Sequence, residues 1–225
     1  MQASSNPELI LNQNASEVLN INVDEEFYND EYFTPEERSF IKSMGRGRKI
    51  TKGIELVDKL TSNNHSVICW CVFVDTIKYL VNTLNDNGIN AACLYGATSH
   101  KERDEIIRKF KNGEIQVLVT NPHTLAESVS LHKNCHYAIY FEYTFNLVHM
   151  LQSRDRIHRL GLNENQKTYY YYLVLNGKEE FFNTIDLRTY ERLKEKELIQ
   201  KQAIENNEIV PLTEDMLDDI KAILN

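Results

Sequence analysis

The stretch from Gln152 to Leu162, QSRDRIHRLGL, gathers the residue types best suited to holding an anion. Arg156 and Arg159 stand three apart behind Gln152, on what reads as the last turns of a helix stopped by Gly161. Residues at that spacing share a helix face, so both guanidiniums can reach one target. A guanidinium is always charged and offers a planar fork of donors that matches phosphate oxygens. A polyphosphate clamp is one expectation; a solvated helix with surface ion pairs is the other. Competing chemistries find less support. His132 and His136 flank Cys135 at a spacing that fits no familiar ligand set, so no metal site is expected. No nucleophile elbow is present.

A clamp needs elements to position it, and the chain supplies them in alternation. SVICWCVFV, from Ser66, is the continuous apolar, β-branched run of a strand buried on both faces. Asp75 to Asn87 is an amphipathic helix with Ile77, Leu80, Val81 and Leu84 inward and Gly88 after it. INAACLY is a second strand, and Ser99 can cap the next helix, whose inward face is Ile106, Ile107 and Phe110. EIQVLVT, HYAIYFEY and TYYYYLVLNG read as three more strands, with the arginine-bearing helix between the last two. This rhythm predicts an α/β domain of three layers around a mainly parallel sheet. In such sheets ligands sit at the carboxyl ends of the strands, where Thr98, Thr120, Asn121 and the 143–146 turn fall.

Helices flank this body. Thr34-Pro35-Glu36-Glu37 is a capping box, and Lys52 to Leu60 carries Ile54, Val57 and Leu60 on one face. After Gly177 the chain turns helical and charged, and a last helix is predicted over 214–224. The expected division is a helical lead-in over 1–62, the α/β domain over 63–177 and a helical extension over 178–225. The net charge of −8 belongs to the leader, where residues 1–38 hold nine acids and only Arg38. The rest balances 24 of the 33 acids against 24 of the 25 bases, so any nucleic-acid contact must come from a local patch. The four cysteines form no C-x-x-C pair and read as reduced, mostly buried thiols. Polar QASSNPEL follows Met1, and no apolar run approaches about 18 residues, so the expectation is a soluble, cytoplasmic chain without membrane contact.

The order of these pieces resembles the C-terminal RecA-like lobe of superfamily 2 helicases, most closely the Swi/Snf-type DNA translocases of bacterial restriction and phage defence. The resemblance covers about Ser66 to Leu198. SVICWCVFVDTIKYL is similar to the family's fourth motif. LYGATSHKERDEIIRKFKNG matches its next block at Gly96, Thr98, Arg103 and Phe110. VLVTNPHTLAESVSLHKNCHYAIYFE occupies the fifth motif, with Leu125, Ala126 and Ser128 where the family has glycines. FNLVHMLQSRDRIHRLGL runs into the sixth, with Asn146, Gln152, Arg156, His158, Arg159 and Gly161 in register and Leu162 where a glutamine usually follows.

The resemblance implies ATP, with Mg²⁺, bound between two lobes, the N-terminal one carrying the P-loop lysine and the metal-binding acid. It implies Arg159 as an arginine finger, Arg156 as its partner on the γ-phosphate, and Gln152, Glu127 and Ser128 at the nucleotide. It places Gly96, Thr98, Thr120, Asn121 and His123 on a double-stranded DNA track, with RNA left open, through contacts that position phosphates without reading sequence. The Phe182–Gln200 region resembles the brace helix of these proteins. No G-x-x-x-x-G-K-[ST] occurs in the chain. The expectation is therefore half of an ATPase site, completed by an N-terminal RecA-like lobe and inactive alone. The alternative is a nucleic-acid or protein docking module without a nucleotide role.

Overall fold

The computed structural model describes residues 34–44, 47–122, 124–125, 129–159, 162, 165–176 and 184–206, with Pro7. The predicted terminal helix, Gly161 and the site residues His123, Glu127 and Ser128 lie outside the described residues.

Five strands, β1 (Val67–Trp70), β2 (Ala91–Leu94), β3 (Val117–Thr120), β4 (Tyr137–Tyr140) and β5 (Tyr169–Tyr172), form one sheet in the order β2-β3-β1-β4-β5. Every pairing is parallel, with Trp70 level with both Thr120 and Tyr140. The central strands β1 and β3 are buried along their whole length, as their unbroken apolar runs require, while β2 and β5 at the edges are partly open. Side chains alternate across the sheet. Val67, Cys69, Val119, Ile139 and Phe141 face α2 (Arg48–Ser62) and α3 (Val74–Asp86), meeting Ile54, Val57, Ile77, Leu80 and Leu84. Ile68, Trp70, Leu118, Ala138 and Tyr140 share the opposite core with residues of α4 (His100–Lys111), α5 (Leu147–Arg154) and α6 (Ile185–Asn206), among them Phe110, Met150 and Leu193. This is the expected three-layer α/β arrangement. The amphipathic stripe of α2 belongs to the sheet's core, so the expected lead-in joins the domain from residue 48 on. Among the described helices, only α1 (Pro35–Ser43) buries none of its residues.

Local chemistry fixes the helix ends. Thr34 Oγ1 accepts from Glu37 N at 3.2 Å and Glu37 Oε2 accepts from Thr34 N at 2.8 Å, completing the capping box of α1. Ser99 and Asn146 cap α4 and α5 by accepting from Glu102 N and His149 N. At the end of α3, Ile89 N donates to Leu84 O and Gly88 N to Asn85 O, a reversal that puts Gly88 at φ +78°, where a Cβ would be strained. Gly53 serves a different need. It sits inside α2, where a Cβ would lie 2.1 Å from Phe141 Cε1 and 2.7 Å from Leu173 Cδ1. The helix can reach the sheet only because that atom is missing.

One element departs from the sequence reading. The helix expected to carry Arg156 and Arg159 to Gly161 ends at Arg154. Arg156 N and Ile157 N turn back to Ser153 O and Arg154 O, the tighter three-residue spacing of a fading helix. Arg156 O meanwhile accepts from Leu131 N at 2.8 Å, and the Ile157 side chain is fully buried. These tertiary contacts outweigh helix propensity, so the two arginines lie on a turn beyond the helix and do not share a helix face.

Candidate nucleotide and nucleic-acid site

The parallel sheet sends every strand toward one rim, and the loops that leave this rim carry most of the predicted site. Leu94 pairs with Thr120, so the turn with Gly96 and Thr98 lies beside Asn121. Gly96 is exposed, at an ordinary φ, and a Cβ there would meet nothing within 4 Å. Thr98 Oγ1 accepts from Tyr95 N at 3.1 Å, which tightens that turn. Asn121 Oδ1 accepts from Thr124 N at 2.9 Å and shapes the start of the next loop. Thr120 differs from expectation. Its side chain is fully buried and its Oγ1 donates to Asn121 O at 3.3 Å, leaving no hydroxyl for a passing phosphate. It supports Asn121 from below.

The arginines divide the work between depth and reach. Arg156 is 8% exposed, whereas Arg159 is exposed, its Nε donating to Asp155 O at 3.2 Å. Burial lowers the proton affinity of Arg156, the nearby Arg159 charge lowers it further, and Asp155 opposes both. Two like charges set this close create local demand for an anion. Gln152 is exposed on the last turn of α5. Arg154, between them in sequence, is a structural residue. Its Nη1 meets Glu197 Oε1 at 2.8 Å and its Nε donates to Tyr172 Oη at 2.8 Å.

On α4, two of the basic side chains are balanced by neighbouring carboxylates. Arg108 forks onto Glu105 and also reaches Glu114, and Lys109 lies 3.5 Å from Glu105. The Arg108 hydrogen bond is the main reason that the Glu105 carboxyl is held down to about 2. Arg103 Nη1 donates to Thr124 O at 3.0 Å, bracing the loop after β3. Among the described residues no group of three His, Cys, Asp or Glu could hold a metal ion, and no helix is long and apolar enough to cross a membrane.

The sequence reading missed Glu142. This 1% exposed carboxylate follows β4 and accepts from Val72 N and Phe73 N at 3.0 Å and from Thr76 Oγ1 at 2.8 Å. It thereby satisfies amides at the start of α3 and locks the β1–α3 turn to the β4–α5 turn. The signal was present: a lone acid in the apolar run YFEY must find donors if that run is buried. Beside it opens a cavity of about 130 Å³, lined by Val72, Asn121, Tyr143, Asn146 and His149 among others. Tyr143 is held from outside, its hydroxyl donating to Asp186 O at 3.4 Å. Lys49 Nζ pairs with Asp186 Oδ2 at 2.6 Å in a nearly dry setting and lies 5.8 Å from the centre of the Tyr143 ring.

The chain that carries this rim and its arginine pair is similar to several known proteins. The helicase conserved C-terminal domain family matches residues 48–161, about half of the chain. The chain belongs to that family. An uncharacterised ATP-dependent helicase of Mycoplasma pneumoniae is 28% identical over 155 residues, covering 68% of this chain and 14% of its own length. The ATP-dependent helicase brm of Drosophila melanogaster is 26% identical over 137 residues, 59% of this chain and 8% of its own. This helicase C-terminal domain thus spans a small part of the curated relatives it matches. In structure, it is similar to the C-terminal part of the Fun30 ATPase domain, with a TM-score of 0.60 and 19% identity over 85% of this chain and 70% of that one. The Hef helicase domain of Pyrococcus furiosus gives 0.53 and 23% over 69% of this chain and 31% of that one. The fold is that of a superfamily 2 helicase C-terminal lobe, and the Swi/Snf-type likeness extends to sequence.

Proposed function

We propose that this helicase C-terminal domain is one lobe of a cytoplasmic, ATP-dependent translocase on double-stranded DNA, working against a P-loop lobe that completes the nucleotide site. The observation that carries this reading is the arginine pair, Arg156 buried and Arg159 exposed, with burial first and then the Arg159 charge lowering the proton affinity of Arg156. A phosphoryl group in transfer spreads negative charge over its oxygens, and preorganised cations in a water-poor cleft stabilise that charge. Arg159 has the reach of a finger across the cleft. Arg156, anchored through its carbonyl to Leu131 N, stays on the γ-phosphate side. Gln152 orients the pair from the end of α5, with Glu127 and Ser128 on the nucleotide edge. Mg²⁺ belongs mainly to the P-loop lobe and would neutralise phosphate charge there.

Gly96, Thr98, Asn121 and His123 form this lobe's part of the DNA track, touching phosphates without reading bases. The open space over Gly96 supports a strand passing close to the backbone. Without the other lobe the chain does not turn over ATP.

The test is DNA-stimulated ATP hydrolysis by this chain alone, by a protein carrying both lobes, and by that protein with Arg159→Ala. The expected outcome is a silent lobe, an active pair of lobes, and a variant slowed at least about a hundredfold, roughly 3 kcal/mol of transition-state stabilisation. A variant as fast as the parent would point to a docking module without a nucleotide role. Turnover by the lone chain would remove the half-site.

A further inference from the structure

The arginine pair leaves α5 without a helix of its own, so its placement depends on where α5 delivers the chain. α6 grips α5 at both ends. At the start, Lys196 Nζ donates to Phe145 O at 3.3 Å, one residue before the capping Asn146. At the finish, Arg154, the last helical residue, pairs with Glu197 Oε1 at 2.8 Å. Lys196 and Glu197 are neighbours on α6, yet their targets stand at opposite ends of a helix about 12 Å long. Lys196 is only 9% exposed, an unusual burial for a lysine whose charge solvates well at a surface. Burial raises the Glu197 carboxyl, but the hydrogen bond and charge of Arg154, with help from Lys201, outweigh it and hold it below the usual carboxylate range.

From these contacts we infer that Lys196 and Glu197 are positioning residues: α6 is a splint that fixes α5 and, through it, aims Arg156 and Arg159. Both gripping residues act through backbone or through Arg154, and neither is placed on the nucleotide. The inference rests on the phosphate role proposed for the arginine pair.

Amide exchange of this chain, followed in Lys196→Met and Glu197→Gln, tests the splint without nucleotide. Exchange over 155–159 is expected to rise by about tenfold while the β1 and β3 amides keep their wild-type rates. An equal rise across β1 and β3 would mark these side chains as general stabilisers and overturn the inference. No rise at 155–159 would overturn it too. In the protein carrying both lobes, the same variants should lose between about tenfold and a hundredfold in kcat, with KM for ATP moving by less than roughly twofold. Local loosening with unchanged kcat, where Arg159→Ala is slow, would sink the splint's catalytic role. If Arg159→Ala is itself harmless, the phosphate role fails first, and the inference falls with it.

Discussion

At the scale of single residues, the same substitution has different consequences at two glycines. Glycine inside a helix costs about 1 kcal/mol relative to alanine, so Gly53→Ala would stabilise an open helix. Here the added methyl meets the fully buried Phe141 ring, and the sign reverses. Gly53→Ala is expected to lose about 1–3 kcal/mol in denaturant unfolding, whereas Gly96→Ala stays within about 0.5 kcal/mol of the parent. The cysteines give a second residue-scale expectation. Burial pushes the Cys135 thiol up to about 12 and raises Cys69 and Cys71 as well, with Glu142 adding to the rise at Cys71. Cys93 is half-buried, and burial raises its thiol too. Since the thiolate is the nucleophile, a thiol reagent at neutral pH should modify Cys93 slowly and the other three only at the unfolding rate. Early modification of Cys69 or Cys135 would contradict the packing of β1 against its neighbours. The burial of Cys69, Cys71 and Cys135 was legible in the apolar runs that hold most of the cysteines. Gly53 was not, because nothing local distinguishes a glycine required by a ring 88 residues away from one merely tolerated.

At the scale of elements, helices α2 and α6 meet through one ion pair. Lys49 and Asp186 side chains are 2% and 1% exposed, and Asp186 Oδ2 also accepts from Leu175 N at 3.3 Å. Removing one partner strands the other charge in a dry place. Lys49→Met should therefore cost about 3–5 kcal/mol in chemical denaturation; a loss below about 1 kcal/mol, the range of exposed pairs, would show the site to be wetter than its geometry. The α5–α6 contact adds a pH dependence. The Glu197 carboxyl lies below its ordinary value of 4.5 when folded, so its contribution is complete above that value and fades as pH falls through the folded one. An acid titration of stability should show a smaller fall below about pH 4.5 for Glu197→Gln than for the parent. The helices themselves were readable from periodicity and caps, down to Ser99, Gly88 and the Thr34 capping box. The end of α5 was not. Its sequence stays helix-compatible through His158, and the stop comes from Leu131 claiming the Arg156 carbonyl, a partner 25 residues upstream.

At the scale of the whole molecule, the fold was legible because buried parallel strands advertise themselves as continuous apolar runs and each crossover helix shows its inward stripe. The rim at the carboxyl ends follows from that topology, which is why Gly96, Thr98 and Asn121 could be placed together from sequence. What sequence could not show was depth: that Thr120 sinks into the core, that Arg156 is buried while Arg159 is not, and that Glu142 ties two turns together. The pairing of Lys49 with Asp186 also has a consequence in time. The partners are 137 residues apart. At about 5–20 residues per second, the lysine waits roughly 7–27 s for its aspartate during synthesis. Until then α2 cannot bury its first turn without stranding a bare ammonium. The first turn of that helix is therefore expected to stay undocked during synthesis until α6 emerges, and a nascent chain stalled before Asp186 is expected to be open to proteases there.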